Sequence, residues 1–463
     1  MILAAGYGSR LQSLTKTIPK PLVYLDNSIR IIDSVIRPIL DTGINSIYIN
    51  LYHRGKAIRD YLLMRYPCVD WHFLLEEELL GTGGGILNTM KVMENEPLLV
   101  CNSDILHRID LHSLIARHEE QNAIATMALL SKTGKERAVL SDNNGVVHGF
   151  TGRNGESVRP VDESYQLLYR EFAGISIIEP ELIKYAPKKV AFGFVEMLLN
   201  AIDAGQNVRL FDANSYYWLD LGTPERLAKG RQDWQAMSEF AKLRNESAVL
   251  IKQLAGAGGN VRRISGKSRS IIARNYSSLE EIRWHEEITS LLSTNDVAVP
   301  ETLLTTETTI YEVDAGQDTL LSLYEQEEVT LADYKAIIDI CVKYGQIPIP
   351  EPVNHPGKFE FDHQSVVDDL NYFNRHYYNN KLLPEEIEKL ANTLFDKLAE
   401  TPLSLMHRDL QSANIIKAPG GEWTLVDIDG FRKGFLLYDV ASLLLDSYVC
   451  LPESEIEDLL DYF

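Results

Sequence analysis

Two stretches of this chain hold residues of the kinds that manage phosphate groups. The first, LAAGYGSRLQSLTKTIPKPL, is a glycine-rich turn directly after a buried apolar run. Around Ala5, Gly6 and Gly8, backbone N–H groups can close on an anion and cradle it, because the glycines put no Cβ in the way. Arg10 and Lys20 add fixed positive charge for a triphosphate and its leaving pyrophosphate. Further on, VCNSD and YYWLDLGTPERL place Asp104 and Asp220 at the ends of apolar runs. Two such carboxylates suit a Mg²⁺ ion. The second stretch, HRDLQSAN followed by VDIDG, spaces its polar residues as phosphoryl transfer to a hydroxyl requires. Asp409 would orient the acceptor hydroxyl and take its proton, Asn414 would hold a metal, and Asp427 would chelate Mg²⁺ on the nucleotide phosphates.

Such side chains need a frame. In residues 1–228, short apolar runs (MILAA, INSIYIN, VDWHFLL, PLLVCNSD) alternate with helical patterns such as RIIDSVIRPILDTG, which ends in a glycine stop. The alternation predicts an α/β sheet wrapped by helices. Residues 229–247, with GRQDWQAMSEFAKLRNE, read as a polar amphipathic helix and are assigned as a linker. A second unit spans 248–463. VRRISG and SRSIIARNY predict a hairpin, SLEEIRWHEEITSLLS a helix and TIYEVDAG a strand, before a long helical region. SGKS (Ser265 to Ser268) imitates the end of a P-loop, but Val261 stands where a glycine is required, so it reads as a hairpin turn.

At 463 residues the chain favours two or three domains. Its formal charge of −21 excludes nucleic acid and anionic membrane as partners, since both demand a basic surface. No run is long and apolar enough to span a bilayer, and MILAAGYGSR is no signal peptide. Four scattered cysteines argue against a disulfide framework and a structural zinc. A cytoplasmic location follows as the expectation.

The joint pattern GxGxRLxxLT…PKPL resembles the signature of the nucleoside-diphosphate-sugar pyrophosphorylases, and the resemblance covers Met1 to about Leu227. It implies a Rossmann-like (GT-A-like) nucleotidyltransferase domain. Asp104 and Asp220 match the family's metal-binding aspartates, which implies a Mg²⁺ bridging the α-phosphate and the sugar phosphate. EEELLGTGGGI is similar to the nucleobase loop, with Glu76, Gly81 and Gly83 against base and ribose. FAGISIIEPEL, centred on Gly174, is similar to the segment that borders the sugar. The TGGGI spelling most resembles N-acetylmuramate-1-phosphate uridylyltransferases. Ser13 and Ser103 depart from the usual proline and glycine.

The second unit resembles the aminoglycoside-phosphotransferase and choline-kinase superfamily, and most closely anomeric sugar kinases, because FRKGFLLYDVASLLLDSYVCLPE follows VDIDG where a protein kinase would carry an activation segment. This implies a bilobal, kinase-like α+β domain. Arg274 takes the role of the strand lysine, with Glu287, or less favourably Glu286, as its partner. AGAGGN, ending at Asn260, is a candidate phosphate-covering loop. Related kinases continue past LLDYF, so the C-lobe is expected to be trimmed. Together the resemblances imply a bifunctional enzyme using Mg²⁺, ATP and UTP. A sugar, expected to be an N-acetylated amino sugar, gains phosphate at its anomeric hydroxyl, and the sugar 1-phosphate then becomes an NDP-sugar. A choline kinase joined to a CTP:phosphocholine cytidylyltransferase is the alternative. Partners are small sugars, sugar phosphates and nucleotides, and a homo-oligomer is left open.

Overall fold

The computed structural model describes the chain except residues 94, 163, 255–259, 350–354 and 377–380. The chain divides into two compact units, Met1–Ile251 with Ile264–Arg269, and Lys252–Arg263 with Ser270–Phe463.

The strands of the first unit are β1 (Ile2–Leu3), β2 (Ser46–Leu51), β3 (Asp70–Leu75), β4 (Leu98–Asn102), β5 (Ile105–His107), β6 (Ala125–Ser131), β7 (Val139–Ser141), β8 (Val147–Phe150), β9 (Leu168–Ile178), β10 (Val208–Asp212) and β11 (Trp218–Asp220). Nine form one sheet whose main path is β10–β6–β9–β4–β1–β2–β3, while β5 and β11 make a separate ribbon. The pairs β1–β2, β1–β4, β2–β3 and β6–β10 are parallel, and β9 runs antiparallel between β4 and β6. Parallel strands covered on both faces must be apolar throughout, which is why LLVC and its counterparts read as unbroken runs.

Helices α1 (Ile31–Asp41), α2 (Gly55–Arg65), α3 (Gly81–Met90), α4 (Leu111–Gln121), α5 (Phe194–Asp203) and α6 (Pro224–Arg244) cover the sheet. Ile32, Val35, Ile36 and Ile39 form the stripe by which α1 joins a core with Ile47, Ile49 and Leu51 of β2. A second core gathers Met127, Leu129 and Ile178 with Met197 and Leu198 of α5. The linker assignment for residues 229–247 is corrected here. Most of that stretch lies in α6, and it belongs to the first unit. Trp234, Met237 and Phe240 are buried, and Trp234 Nε1 donates to Asp26 Oδ2 at 2.6 Å.

The second unit contains β12 (Leu250–Gln253), β13 (Val261–Ser265), β14 (Ser270–Asn275), α7 (Leu279–Thr294), β15 (Thr302–Thr305) and β16 (Thr309–Val313), the sheet order being β12–β13–β14–β16–β15. Its helical part holds α8 (Leu320–Glu325), α9 (Leu331–Gly345), α10 (His363–His376), α11 (Pro384–Leu398), α12 (Leu436–Leu444) and α13 (Glu453–Tyr462), with short strands β17 (Ser404–Met406), β18 (Ile415–Lys417), β19 (Trp423–Leu425) and β20 (Arg432–Gly434). Trp284, Ile288 and Leu292 of α7 share one core with Ile337 and Cys341 of α9 and with Leu405 and Leu425. Among the described residues no helix is long and apolar enough to cross a membrane.

Candidate active sites

In the first unit, Ala5, Gly6, Gly8, Arg10, Lys20, Gly81 and Asp104 line one pocket of about 350 Å³. It sits beyond the carboxyl ends of β1 and β4, where open α/β sheets leave a crevice for ligands. The Lys20 ammonium is buried and ion-paired with Asp104. A lone ammonium there would be costly, and the carboxylate offsets that cost. The backbone carbonyl of Asp104 accepts from Leu221 N at 2.9 Å, so the β5–β11 ribbon carries both aspartates. Asp220 Oδ1 accepts from Gly222 N and from Arg226 Nη1, each at 3.0 Å. A Cβ at Gly222 would lie 2.6 Å from Asp220 Oδ1 and 2.8 Å from Arg10 Cζ, so only glycine lets those two side chains converge. Two carboxylates are hard donors that fit Mg²⁺. Among the described residues no cluster of three or more His, Cys, Asp or Glu could cage a metal. A Mg²⁺ held here would therefore complete its shell with phosphate and water oxygens, as this ion does elsewhere.

Two expectations fail on geometry. Glu76 does not face a base edge: it is buried, Oε1 accepts from Asn50 Nδ2 at 2.6 Å and Oε2 from Leu80 N at 3.1 Å. Asn50 Oδ1 in turn accepts from Ala4 N at 2.9 Å, so Glu76 braces the pocket floor from behind. Gly83 is a packing residue. Its N–H goes to Phe192 O at 3.0 Å, and a Cβ would sit 2.4 Å from the Phe192 ring. Asn50 and Asn102 also line the pocket. Their signal was a lone amide closing an apolar strand, in IYIN and LLVCN.

In the second unit, Asn414 Nδ2 donates to Asp409 Oδ2 at 3.0 Å and to its carbonyl at 2.9 Å. Asp439, fully buried on α12, supports this loop by accepting from His407 N (2.6 Å), Arg408 N (2.8 Å) and Tyr344 Oη (2.7 Å). Burial pushes the Asp439 carboxyl up despite these bonds. Val426 N donates to Asn414 O at 3.0 Å, tying the loop to the residue before Asp427.

Asp427 Oδ1 receives Arg274 Nη1 at 3.0 Å, and both line a cavity of about 450 Å³ with Tyr276 and Asp429. The partner expected for Arg274 is corrected. Its Nε lies 3.6 Å from Glu312 Oε2 on β16, and Nη1 lies 3.8 Å from Asp429 Oδ2. From α7 it is His285 that joins the cluster, with Nδ1 2.7 Å from Asp429 Oδ1 and Nε2 2.8 Å from Glu312 Oε1. Glu287 is about 200° further round the helix and, with Glu286, lines a different cavity. Burial would discharge His285, but the bonds to Asp429 and Glu312 outweigh it and lift its pKa to about 9. Burial would raise Asp429, yet His285 and Arg274 hold it below the usual carboxylate range. Asp429 was visible as the second acid of VDIDG; Glu312 and His285 left no local signal. Asn260 lines the cavity, while the rest of AGAGGN lies outside the described residues.

These two sites define a transferase of two parts. Residues 1–152 match the family described as nucleotidyl transferase, and residues 251–463 match the phosphotransferase enzyme family. The chain joins a nucleotidyltransferase domain of Rossmann-like α/β fold to a kinase-like phosphotransferase domain. Among curated proteins it is similar to the D-glycero-alpha-D-manno-heptose 1-phosphate guanylyltransferase of Aneurinibacillus thermoaerophilus, at 24% identity over 51% of this chain and 97% of that one. It is also similar to the mannose-1-phosphate guanyltransferase of Yarrowia lipolytica, at 28% over 56% and 70%. Among solved structures, HddC from Yersinia pseudotuberculosis complexed with GMP-PN covers 50% of this chain and 97% of its own, at 24% identity and a TM-score of 0.41.

Proposed function

We propose that the chain makes a nucleoside-diphosphate sugar in two consecutive steps. The second unit phosphorylates the anomeric hydroxyl of a free sugar with ATP, and the first unit transfers a nucleotidyl group to the resulting sugar 1-phosphate. The observation that carries this reading is the convergence of Arg10, Lys20 and Asp104 on one pocket beside the glycine turn. In the first unit a phosphate oxygen of the sugar 1-phosphate attacks the α-phosphorus in line. The bond from that phosphorus to the bridging oxygen breaks, and pyrophosphate leaves. Arg10 and Lys20 neutralise the charge that develops, and N–H groups around Gly6 and Gly8 hold the phosphates. Asp104 and Asp220 would hold Mg²⁺, which supplies charge neutralisation when bound. In the second unit Asp409 accepts the proton of the attacking hydroxyl, Asn414 and Asp427 would hold Mg²⁺, and Arg274 faces the nucleotide phosphates.

For the base, the relatives named guanylyltransferase and guanyltransferase support GTP. The case for UTP from Glu76 has no ground, because both oxygens of that carboxylate are engaged elsewhere. The test incubates the purified chain with a panel of free sugars, choline, ATP and either GTP, UTP or CTP, with products read by mass spectrometry. An NDP-sugar with release of pyrophosphate is expected, with GTP preferred. Formation of phosphocholine and a CDP-linked product alone would refute the reading.

A further inference from the structure

Around Arg274 the acids outnumber the cations among the described residues. Asp427, Asp429 and Glu312 surround its guanidinium, and His285 of α7 is the second cation of the group. Arg274, Glu312 and His285 are all buried, so each of these charges needs a partner. The partners are shared unequally. His285 takes the near positions, with Nε2 2.8 Å from Glu312 Oε1 and Nδ1 2.7 Å from Asp429 Oδ1. Arg274 keeps the far ones, 3.6 Å from Glu312 Oε2 and 3.8 Å from Asp429 Oδ2. Its Nε makes no hydrogen bond among the described residues. The hydrogen bond it does make runs from Nη1 to Asp427 Oδ1, at 3.0 Å, on the lining of the cavity.

This division bears on phosphate binding. A guanidinium clasped by buried carboxylates has its donors occupied and cannot turn them to a phosphate. Without a second cation, Glu312 would be a buried, unpaired charge, and the nearest group able to relieve it is Arg274. The imidazolium removes that pull. Its bonds to Asp429 and Glu312 outweigh burial and keep it protonated at neutral pH. A protonated ring donates from both nitrogens, and here each N–H serves a different acid.

We propose that His285 is a positioning residue for phosphoryl transfer: by engaging Glu312 and Asp429 it keeps both carboxylates from clasping Arg274, whose guanidinium stays available to the nucleotide phosphates. The proposal rests on the kinase reading of the second unit and assigns Glu312 the role of competitor for Arg274 rather than its support.

The test measures ADP release from MgATP by the purified full chain, with N-acetylglucosamine, glucose or water as acceptor. ADP arises from transfer of the γ-phosphoryl group, so the pyrophosphate chemistry of the first unit does not enter the readout. His285→Gln is expected to raise the KM for ATP about tenfold or more, the scale of one hydrogen bond to a charged group, with little change in kcat. Adding Glu312→Gln to that variant removes the competing carboxylate and should return the KM to within about threefold of the parent. A residue that merely held the fold would show the reverse, because the second loss would compound the first. Glu312→Gln alone should leave the KM at or below the parent value. Circular dichroism verifies folding. Where His285→Gln does not fold, Glu312→Gln decides alone, and a KM raised about tenfold there shows that Glu312 orients Arg274 and overturns the proposal. An unchanged KM in folded His285→Gln, or a double variant as impaired as the single one, overturns it as well. No ADP from the parent with any of the three acceptors overturns the kinase reading itself.

Discussion

Lys20 shows how one buried charge can serve both structure and chemistry. In the free protein Asp104 neutralises it; in the proposed reaction the same ammonium would face the leaving group. Asp104→Asn should lower pyrophosphate release ~10²-fold or more, the usual size of such electrostatic losses, and leave ATP use by the second unit intact. Parallel assays of the two activities decide this, and near-normal pyrophosphate release would remove Asp104 from the chemistry. Two histidines give stability opposite dependences on pH. His285 has a folded pKa of about 9, above its ordinary 6.5. The folded chain binds that proton more tightly, so the contribution is full below 6.5 and lost as pH rises through about 9. His107 is fully buried, both ring nitrogens lack a partner among the described residues, and burial, helped by Arg108, lowers its pKa to about 3. The unfolded chain takes up a proton below 6.5 that the folded chain refuses, so stability falls between 6.5 and about 3. Urea melts across this range should show His107→Leu flattening the acid limb and His285→Gln flattening the alkaline limb. Unchanged limbs would mean that neither ring titrates as described.

Among the elements, α6 departs from what its sequence pattern predicts. Its inward face carries Asp233, which is fully buried and bonded to Tyr217 Oη and Lys229 Nζ, both at 2.6 Å. A polar residue on the buried side breaks the apolar stripe that marks α1 plainly, so the segment reads as a polar amphipathic helix outside the core. Trp234→Ala tests its role. A surface linker would tolerate the change within about 0.5 kcal/mol, whereas loss of a buried indole should cost ~3–5 kcal/mol, read from the urea midpoint of the first unit. The same contrast explains what was legible in the sites. The glycine turn, HRDLQSAN and VDIDG are contiguous strings whose chemistry is set by spacing along one loop. The Arg274–Glu312–His285–Asp429 cluster is assembled from β14, β16, α7 and the turn after β19; the β14–β16 pairing brings Arg274 beside Glu312, and His285 and Asp429 join them through tertiary packing. Glu76 misled for a related reason. A glutamate beside a glycine loop has the right type for base reading, but Asn50, across the β2–β3 pairing, claims it.

At the scale of the whole molecule, a net charge of −21 repels nucleotides at long range, so both sites depend on a few placed cations rather than on a basic surface. Each unit keeps its own core, with Trp284, Ile337 and Leu405 in the second and Ile36, Ile49 and Met197 in the first. Damage to one active site should therefore leave the fold of the other untouched. Asp409→Asn provides the test of the two-step order. Asp409 is exposed and its side chain bonds only to Gln411 and Asn414 among the described residues, so the substitution costs little stability. Loss of a general base slows transfer ~10²–10⁴-fold. The variant should then fail to form NDP-sugar from free sugar, ATP and a second nucleotide, yet form it at the parent rate when sugar 1-phosphate is supplied. Circular dichroism verifies that the variant is folded, and mass spectrometry reads both reactions. If the folded variant loses both reactions, the units do not act in sequence through a released sugar 1-phosphate. If it loses neither, Asp409 is not the base, and the phosphorylating loop must draw its proton acceptor from elsewhere in the cavity that holds Arg274 and Asp427.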